Sequence, residues 1–569
     1  MLKWVKEKLG KGTDDGDDVA FGNDEYVKDF LAGLPTSQPL ICLHEIGSVY
    51  ENLLSWPLQD ERRREVVRML DEFAQRHLRV AWHMLFPKSD EATLNDQSWA
   101  ALSRYYVAAA DACSRLTTIP AVDDERPQIT LSANYAMLAM ARQNLLLRLR
   151  QRPPEGSFWR KLFDLYRRAE TGRVAHRKVE EACSLRGSTC GRLFSRILAF
   201  EAGPLDTINV SQAHAHFQFV ARFDDDLSLG TAPPETHGYC VDLTEAHGPR
   251  RPRSDLVIAP SLRFLNVMKL QSRAQSLLRD ATRDRAMPDW LSEGEVGLAA
   301  YMRLLNHIDK AWSAHPPERR HNRSKVQAEF LVCHGFIQVR RMVAAAEFAR
   351  QEAKRDETRY MGSELYDPKR FDEVHFGSVS TSHGSSHVRM PQKPRAAVDI
   401  LGKLETSGDR GQMETWTVED LSERGFGAVP EMAARWARVG ALIAFRQRNV
   451  ARWNLGVIRR ITANSAGRQL LGIEVWRGET AVAKVNVLTD HEADTRHDFD
   501  AADELATDAI MLIGTEKTIL VPRNRYVAGA RSVLHYGGNQ TRVQLADATE
   551  VGEDYALCAL KAWMPGQII

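Results

Sequence analysis

The sequence predicts a multidomain α+β protein: an irregular α-helical N-terminal half, a small antiparallel β-barrel, and a second β-rich C-terminal unit. Three observations carry this reading. Apolar residues recur at helical spacing from about residue 34 to 200. After Arg395 the pattern changes to short alternating runs broken by turn residues. The chain of 569 residues is also too long for one hydrophobic core, which implies roughly three or four domains.

The helical half is justified stretch by stretch. Residues 1–33 are read as a flexible leader, with Gly, Asp and Asn concentrated between Gly10 and Asp24. In 34–200, the run Asp60 to Phe86 sets Val66, Leu70, Phe73 and His77 on one helix face. Similar patterns occupy Asp96 to Leu116 and Thr130 to Leu149. Phe158 to Glu170 carries the stripe Trp159, Leu162, Phe163, Tyr166 and Ala169, with Arg and Lys opposite. Pro153, Pro154 and Gly156 separate the last two helices, as an antiparallel pair requires. The order of aromatic, Leu, Tyr and Ala-Glu resembles half of a tetratricopeptide-type repeat, without a regular period.

Residues 201–318 read as a mixed α/β region. Gln212 to Phe223 alternates in period two and is expected to be a strand, followed by a second at Gly238 to Leu243. Asn266 to Asp280 and Leu291 to Ala311 are expected to be helices. Residues 319–355 and 400–480 are assigned to a split barrel around a flexible insertion at 356–399. Ser324 to Cys333 is its first strand and Phe336 to Lys354 a helix. Thr415 to Glu419, Phe426 to Val429, Ala441 to Arg446, Trp453 to Ile461 and Leu470 to Trp476 are further strands. Residues 481–569 form the second β-rich unit, with five more runs between Ala509 and Ala559.

Composition narrows the function. Lys and Arg number 76 against 75 Asp and Glu, so the chain lacks the basic excess of a general DNA or RNA binder. The seven cysteines are scattered and contain no CxxC pair, as expected for free thiols in a reducing compartment. No signal-peptide core and no apolar run of about 18 residues occurs. The expectation is a cytoplasmic protein without membrane insertion. No phosphate-loop, nucleophile-elbow or dinucleotide fingerprint is present, which argues against an enzyme.

Two short motifs carry chemistry. Trp416 to Gly427 reads WTVEDLSERGFG, with Asp420, Ser422 and Gly425 in the pattern D-x-S-x-x-G. In a strand-to-strand turn, Gly425 would supply a positive φ. Asp420 and Ser422 would share a face by alternation. A carboxylate there can accept two N–H bonds from a guanine edge. Upstream, Glu318 to Ser324 reads ERRHNRS, with Arg319, Arg320 and Arg323 just ahead of a strand. Guanidinium groups match phosphate oxygens and stack on purines, so this segment could close over a flat, doubly phosphorylated ligand. R-x-x-x-R also occurs at Arg64/Arg68 and Arg279/Arg283, where helical spacing makes a solvated face, and at Arg448/Arg452. Asp and Ser are also ordinary turn formers.

R-x-x-x-R, a strand, D-x-S-x-x-G and then strands including WNLGVIRRI and LLGIEVW together resemble the PilZ domain family. The resemblance covers about 319–335 and 410–480. It implies a six-stranded barrel that binds cyclic di-GMP, with Arg319 and Arg323 on phosphates and guanines. Asp420, Ser422 and Gly425 would sit on the second face of a ligand taken up as a stacked pair. It also implies a bacterial regulator with no cofactor, relaying the second messenger to a protein partner through its helical half. A switch from disorder to order in the Arg segment would drive the relay. The roughly ninety residues between the motifs exceed a compact PilZ domain and must be an insertion. One alternative is a degenerate PilZ-like scaffold that binds no nucleotide. Another is a metal-dependent enzyme using His214, His216 and Asp224 to Asp226.

Overall fold

The computed structural model describes residues 21–86, 94–117, 126–180, 185–291, 296–315, 324–360, 395–406, 413–432, 434, 436–463, 468–488, 506–514 and 517–562. The chain divides into two compact units, Met1–Arg319 and Arg320–Ile569.

The first unit is built on helices α1 (Asp24–Ala32), α2 (Pro39–Asn52), α3 (Asp60–Leu85), α4 (Asp96–Arg115), α5 (Arg126–Leu149), α6 (Gly156–Thr171), α7 (Cys190–Glu201) and α8 (Val210–Arg222). Its centre is α5, which packs against α3, α4, α6, α7 and α8. Accordingly α5 is buried nearly all round, its small polar residues Thr130, Ser132, Asn134 and Asn144 included. The neighbouring helices keep one dry stripe each. In α6, Trp159, Leu162, Phe163, Tyr166 and Ala169 are buried as their spacing predicts. Side-chain caps start several helices: Asn95 accepts from the Ser98 amide at 2.9 Å and Thr189 from that of Arg192 at 3.1 Å, satisfying amides that have no helical partner. A small antiparallel sheet, ordered β1 (Ser228–Gly230), β3 (Leu262–Asn266), β2 (Gly238–Asp242), and helices α9 (Met268–Asp284) and α10 (Leu298–Trp312) complete the unit.

The segment from Gln212 to Phe223 is helical, not a strand. Asn209 and Gln212 form a reciprocal capping box, with bonds of 2.9 and 3.1 Å, that nucleates α8. The apparent period of two in HAHFQF is therefore a coincidence of composition. On a helix, residues two apart point about 200° apart. His214 accordingly packs on Phe86 (ring centroids 4.8 Å), whereas buried His216 packs between Phe200 and Trp312 (5.4 and 5.7 Å). Burial holds the His216 pKa down at about 4. Asp224 is held by Arg192 and Arg196 at 2.7 and 3.0 Å. The proposed metal cluster does not assemble, and no group of three metal-ligating side chains occurs among the described residues. Arg64 also departs from expectation. It is buried and donates to Gln128 Oε1 at 3.4 Å, so it is no part of a solvated face.

The second unit contains two closed, antiparallel, six-stranded barrels. The first comprises β4 (Ser324–His334), β5 (Met413–Ser422), β6 (Gly425–Pro430), β7 (Leu442–Gln447), β8 (Asn454–Ala463) and β9 (Gln469–Trp476). The second comprises β10 (Glu479–Val487), β11 (Thr507–Ile513), β12 (Lys517–Pro522), β13 (Arg531–Tyr536), β14 (Asn539–Val551) and β15 (Tyr555–Ala562). The circular orders are β4-β5-β6-β9-β8-β7 and β10-β11-β12-β15-β14-β13. Numbered from its own first strand, each barrel runs 1-2-3-6-5-4, so the second repeats the topology of the first. Its opening strand β10 escapes sequence reading because ETAVAKVNV offers only Ala and Val to the inside.

Trp416, Val418, Phe426, Phe445, Ile458 and Ile473 fill the first barrel. Met511, Ile519, Val543 and Leu545 fill the second. A further core joins them. Helix α11 (Phe336–Tyr360) buries Phe336, Val339 and Val343 against Leu442, Trp453 and Leu455 of one barrel and Ile510, Leu512 and Tyr555 of the other. Residues 356–360 continue α11, and Arg395–Thr406 form a further helix, α12. Both ends of the expected flexible insertion are thus helical. His383 and His387, a pair four apart within that expected insertion, lie outside the described residues. No helix is long and apolar enough to cross a membrane among the described residues.

Candidate functional site

Arg319, Arg320 and Arg323 lie outside the described residues. The chain is described again at Ser324, one residue after Arg323, as the first residue of β4. There Ser324 pairs with Leu421 and Lys325 with Asp420. Antiparallel pairing of β4 with β5 therefore brings the chain next to Arg323 against the D-x-S-x-x-G turn, across the whole intervening segment.

Two bulges then shape the outer wall. Along β5, Trp416 and Val418 point into the barrel. Strict alternation would send Asp420 inward as well. A register shift between Val418 and Asp420 makes Glu419 an extra residue, so Asp420 pairs with outward Gly427 instead. Phe426 and Ala428, on either side of Gly427, are in the core. The same device operates on β8. Ile458 is inside, a shift follows, and Arg460 turns outward opposite Gly472. Because β6 pairs with β9 at Gly427 and Gly472, five residues form one outward row across five strands: Lys325, Asp420, Gly427, Gly472 and Arg460.

The middle of this row has no side chains. A Cβ on Gly427 would stand 2.8 Å from both Asp420 carboxylate oxygens, and one on Gly472 would stand 3.2 Å from the Arg460 Cβ. The result is a bare strip of backbone flanked by a carboxylate on one side and a guanidinium on the other. Lys325 and Arg460 are exposed. A flat heterocycle can lie on such a strip, with a carboxylate to accept its N–H groups and cations to meet phosphate oxygens.

Ser422 closes the turn, its hydroxyl donating to the Gly425 carbonyl at 3.0 Å. Its oxygen lone pairs remain available as acceptors. Gly425 is not one of the positive-φ glycines of the chain, contrary to the expectation from sequence. It is required for space instead. It pairs with Glu474 on β9, where a Cβ would overlap the Ile473 carbonyl oxygen. Glu474 in turn accepts from Arg459 at 2.6 Å, and Arg459 also makes two 2.6 Å bonds to Glu550 of the second barrel. Burial works against the Arg459 charge, but the carboxylates of Glu550 and Glu474 outweigh it and hold its pKa up.

Residues 25–235 match the N-terminal domain of the cyclic-di-GMP receptor FimW, and residues 241–479 match its middle PilZ domain. The chain belongs to the FimW family of cyclic-di-GMP receptors. The family's middle-domain match spans both motifs and ends at Glu479, the first residue of β10. Apart from Glu479, the second barrel lies beyond both matches. No curated protein matches the chain.

Sequence reading missed Lys325, Gly427, Gly472 and Arg460. The two glycines leave a trace, because a glycine inside a strand signals close approach of another group. Arg460 leaves none, since only the bulge decides which way it points.

Proposed function

We propose that this chain binds cyclic di-GMP on the outer wall of its first barrel and acts as a cytoplasmic, non-catalytic regulator. A guanine face lies on the Gly427–Gly472 strip, Asp420 accepts from its N–H edge, and Ser422 lines the adjoining turn. Gly425 keeps that turn tight. Arg319, Arg320 and Arg323, with Arg460, meet phosphates and the second purine of a stacked pair. The observation that carries this reading is the pairing of Lys325 with Asp420, two residues after Arg323.

The boundary between the two compact units falls between Arg319 and Arg320. A ligand held by these arginines therefore acts on the stretch of chain that joins the units. Its differential affinity for alternative arrangements of that stretch is the driving force for a relay to a protein partner of the helical half.

The test is calorimetric titration of the full chain with cyclic di-GMP. Saturable binding is expected, and Arg323→Ala and Asp420→Ala should each weaken it by roughly 10- to 100-fold, the worth of one charge-assisted hydrogen bond. Absence of saturable heat at tens of micromolar ligand would refute the proposal and leave the scaffold alternative.

A further inference from the structure

Helices α2, α3, α4 and α5 leave a cavity of about 130 Å³ inside the helical unit. Arg142 of α5 lines it. Its guanidinium carbon lies 5.4 Å from the Trp82 ring centre and 5.1 Å from that of Phe217. Among the described residues no carboxylate or carbonyl pairs with it. This sets it apart from its neighbours. Arg148 pairs with Glu201 at 2.6 Å, Arg263 with Glu170 at 2.6 Å, and Arg192 and Arg196 share Asp224.

Arg142 is half-buried, and a guanidinium partly withdrawn from water without an anion loses hydration that ring faces return only in part. Burial accordingly holds the Arg142 pKa below its usual value. The acid on the cavity wall does not serve as its partner. Asp71 instead takes two 3.0 Å bonds from Gln75 Nε2, and burial raises its pKa to about 6. Gln75, Trp82 and Arg142 keep partial exposure, and Arg79 is exposed. These four residues mark a mouth with a positive rim.

We propose that this cavity binds a small organic monocarboxylate, its carboxylate paired with Arg142 and its compact apolar body against Trp82 and Tyr106. The size suits an apolar body no larger than a benzene ring with the carboxylate left at the mouth, since an apolar cavity of roughly 150 Å³ accommodates benzene and this one measures about 130 Å³. A guanidinium suits the head group because it binds a carboxylate through two parallel N–H bonds. The site lies in the helical unit and does not depend on the nucleotide reading of the barrel.

The probe is sodium benzoate added to the full-length chain, with inorganic phosphate and chloride at matched ionic strength. Benzoate should bind saturably, perturb tryptophan emission and raise the melting midpoint by about 2–5 °C at a hundredfold excess over its Kd. Phosphate and chloride should not. Arg142→Gln should lose at least tenfold in benzoate affinity. Ala139→Leu, which fills the cavity from α5, should abolish benzoate binding without lowering the melting midpoint, and it carries the test if Arg142→Gln does not fold. No saturable response to benzoate at tens of millimolar overturns the proposal. So does an equal response to phosphate, or unchanged benzoate affinity in the folded variants. Cyclic di-GMP titration of the same samples reports separately on the barrel.

Discussion

Gly425 and Gly427 stand two positions apart on one strand and lack side chains for different reasons. At Gly425 the neighbouring strand's backbone, the Ile473 carbonyl oxygen, occupies the space. Backbone cannot yield without breaking the β6–β9 pairing, so Gly425→Ala should destabilise the barrel by about 1–3 kcal/mol, the usual range for overpacking. At Gly427 the obstruction is the Asp420 carboxylate, a side chain that can rotate away. Gly427→Val should therefore leave the melting midpoint nearly unchanged while lowering cyclic di-GMP affinity at least tenfold, because the strip is filled. Paired thermal melts and calorimetry on the two variants check this. Equal losses of stability, or undiminished binding by Gly427→Val, would count against a glycine-floored site.

At the scale of elements, the decisive features are the bulges. Each adds one residue to a strand and so transfers every later side chain to the opposite face. Asp420 and Arg460, each two positions after an inward residue, face outward because the pairing shifts by one residue at Glu419 and Arg459. Deleting Glu419 would close the bulge, set Asp420 directly after inward Val418 and so leave it outward opposite Gly427. The expected outcome is a folded variant that binds cyclic di-GMP within about tenfold of the parent chain, whereas loss of binding by the folded variant would show that the bulge itself shapes the site. Denaturant unfolding and titration of the deletion variant measure both. The inserted Arg459 has its own use, because its ion pairs connect the wall behind Gly425 to Glu550 of the second barrel.

Across the molecule, two barrels of identical strand order share one core through α11. The second does not reproduce the ligand turn. Counting from the strand ends, Met511, Ile513 and Lys517 occupy the places of Asp420, Ser422 and Gly425. At these places it lacks the acceptors for a guanine edge that the first barrel offers. The shared core also makes the barrels mechanically dependent. Leu512 is buried in that core from the second barrel, so Leu512→Ala should cost about 2–4 kcal/mol. Its effect should reach the first barrel as faster amide hydrogen exchange across β5 and β6. Faster exchange confined to β10–β15 would show that the two barrels unfold independently.

The sequence alone determined what depends on local chemistry. The helical stripes of α3 and α6, the alternation of β4 to β9 and the turn chemistry of D-x-S-x-x-G are legible because side-chain period and propensity act over a few residues. It misled where a pattern was too short to distinguish periods, as at His214 and His216, and where a glycine could serve either conformation or space, as at Gly425. Strand register belonged to the tertiary structure. Which residue of β4 meets Asp420, and whether Arg460 points in or out, follow from long-range backbone pairing and one-residue shifts. Those shifts leave the hydrophobic pattern of each strand almost unchanged, so their mark on the sequence is slight, although they decide which side chains share a surface.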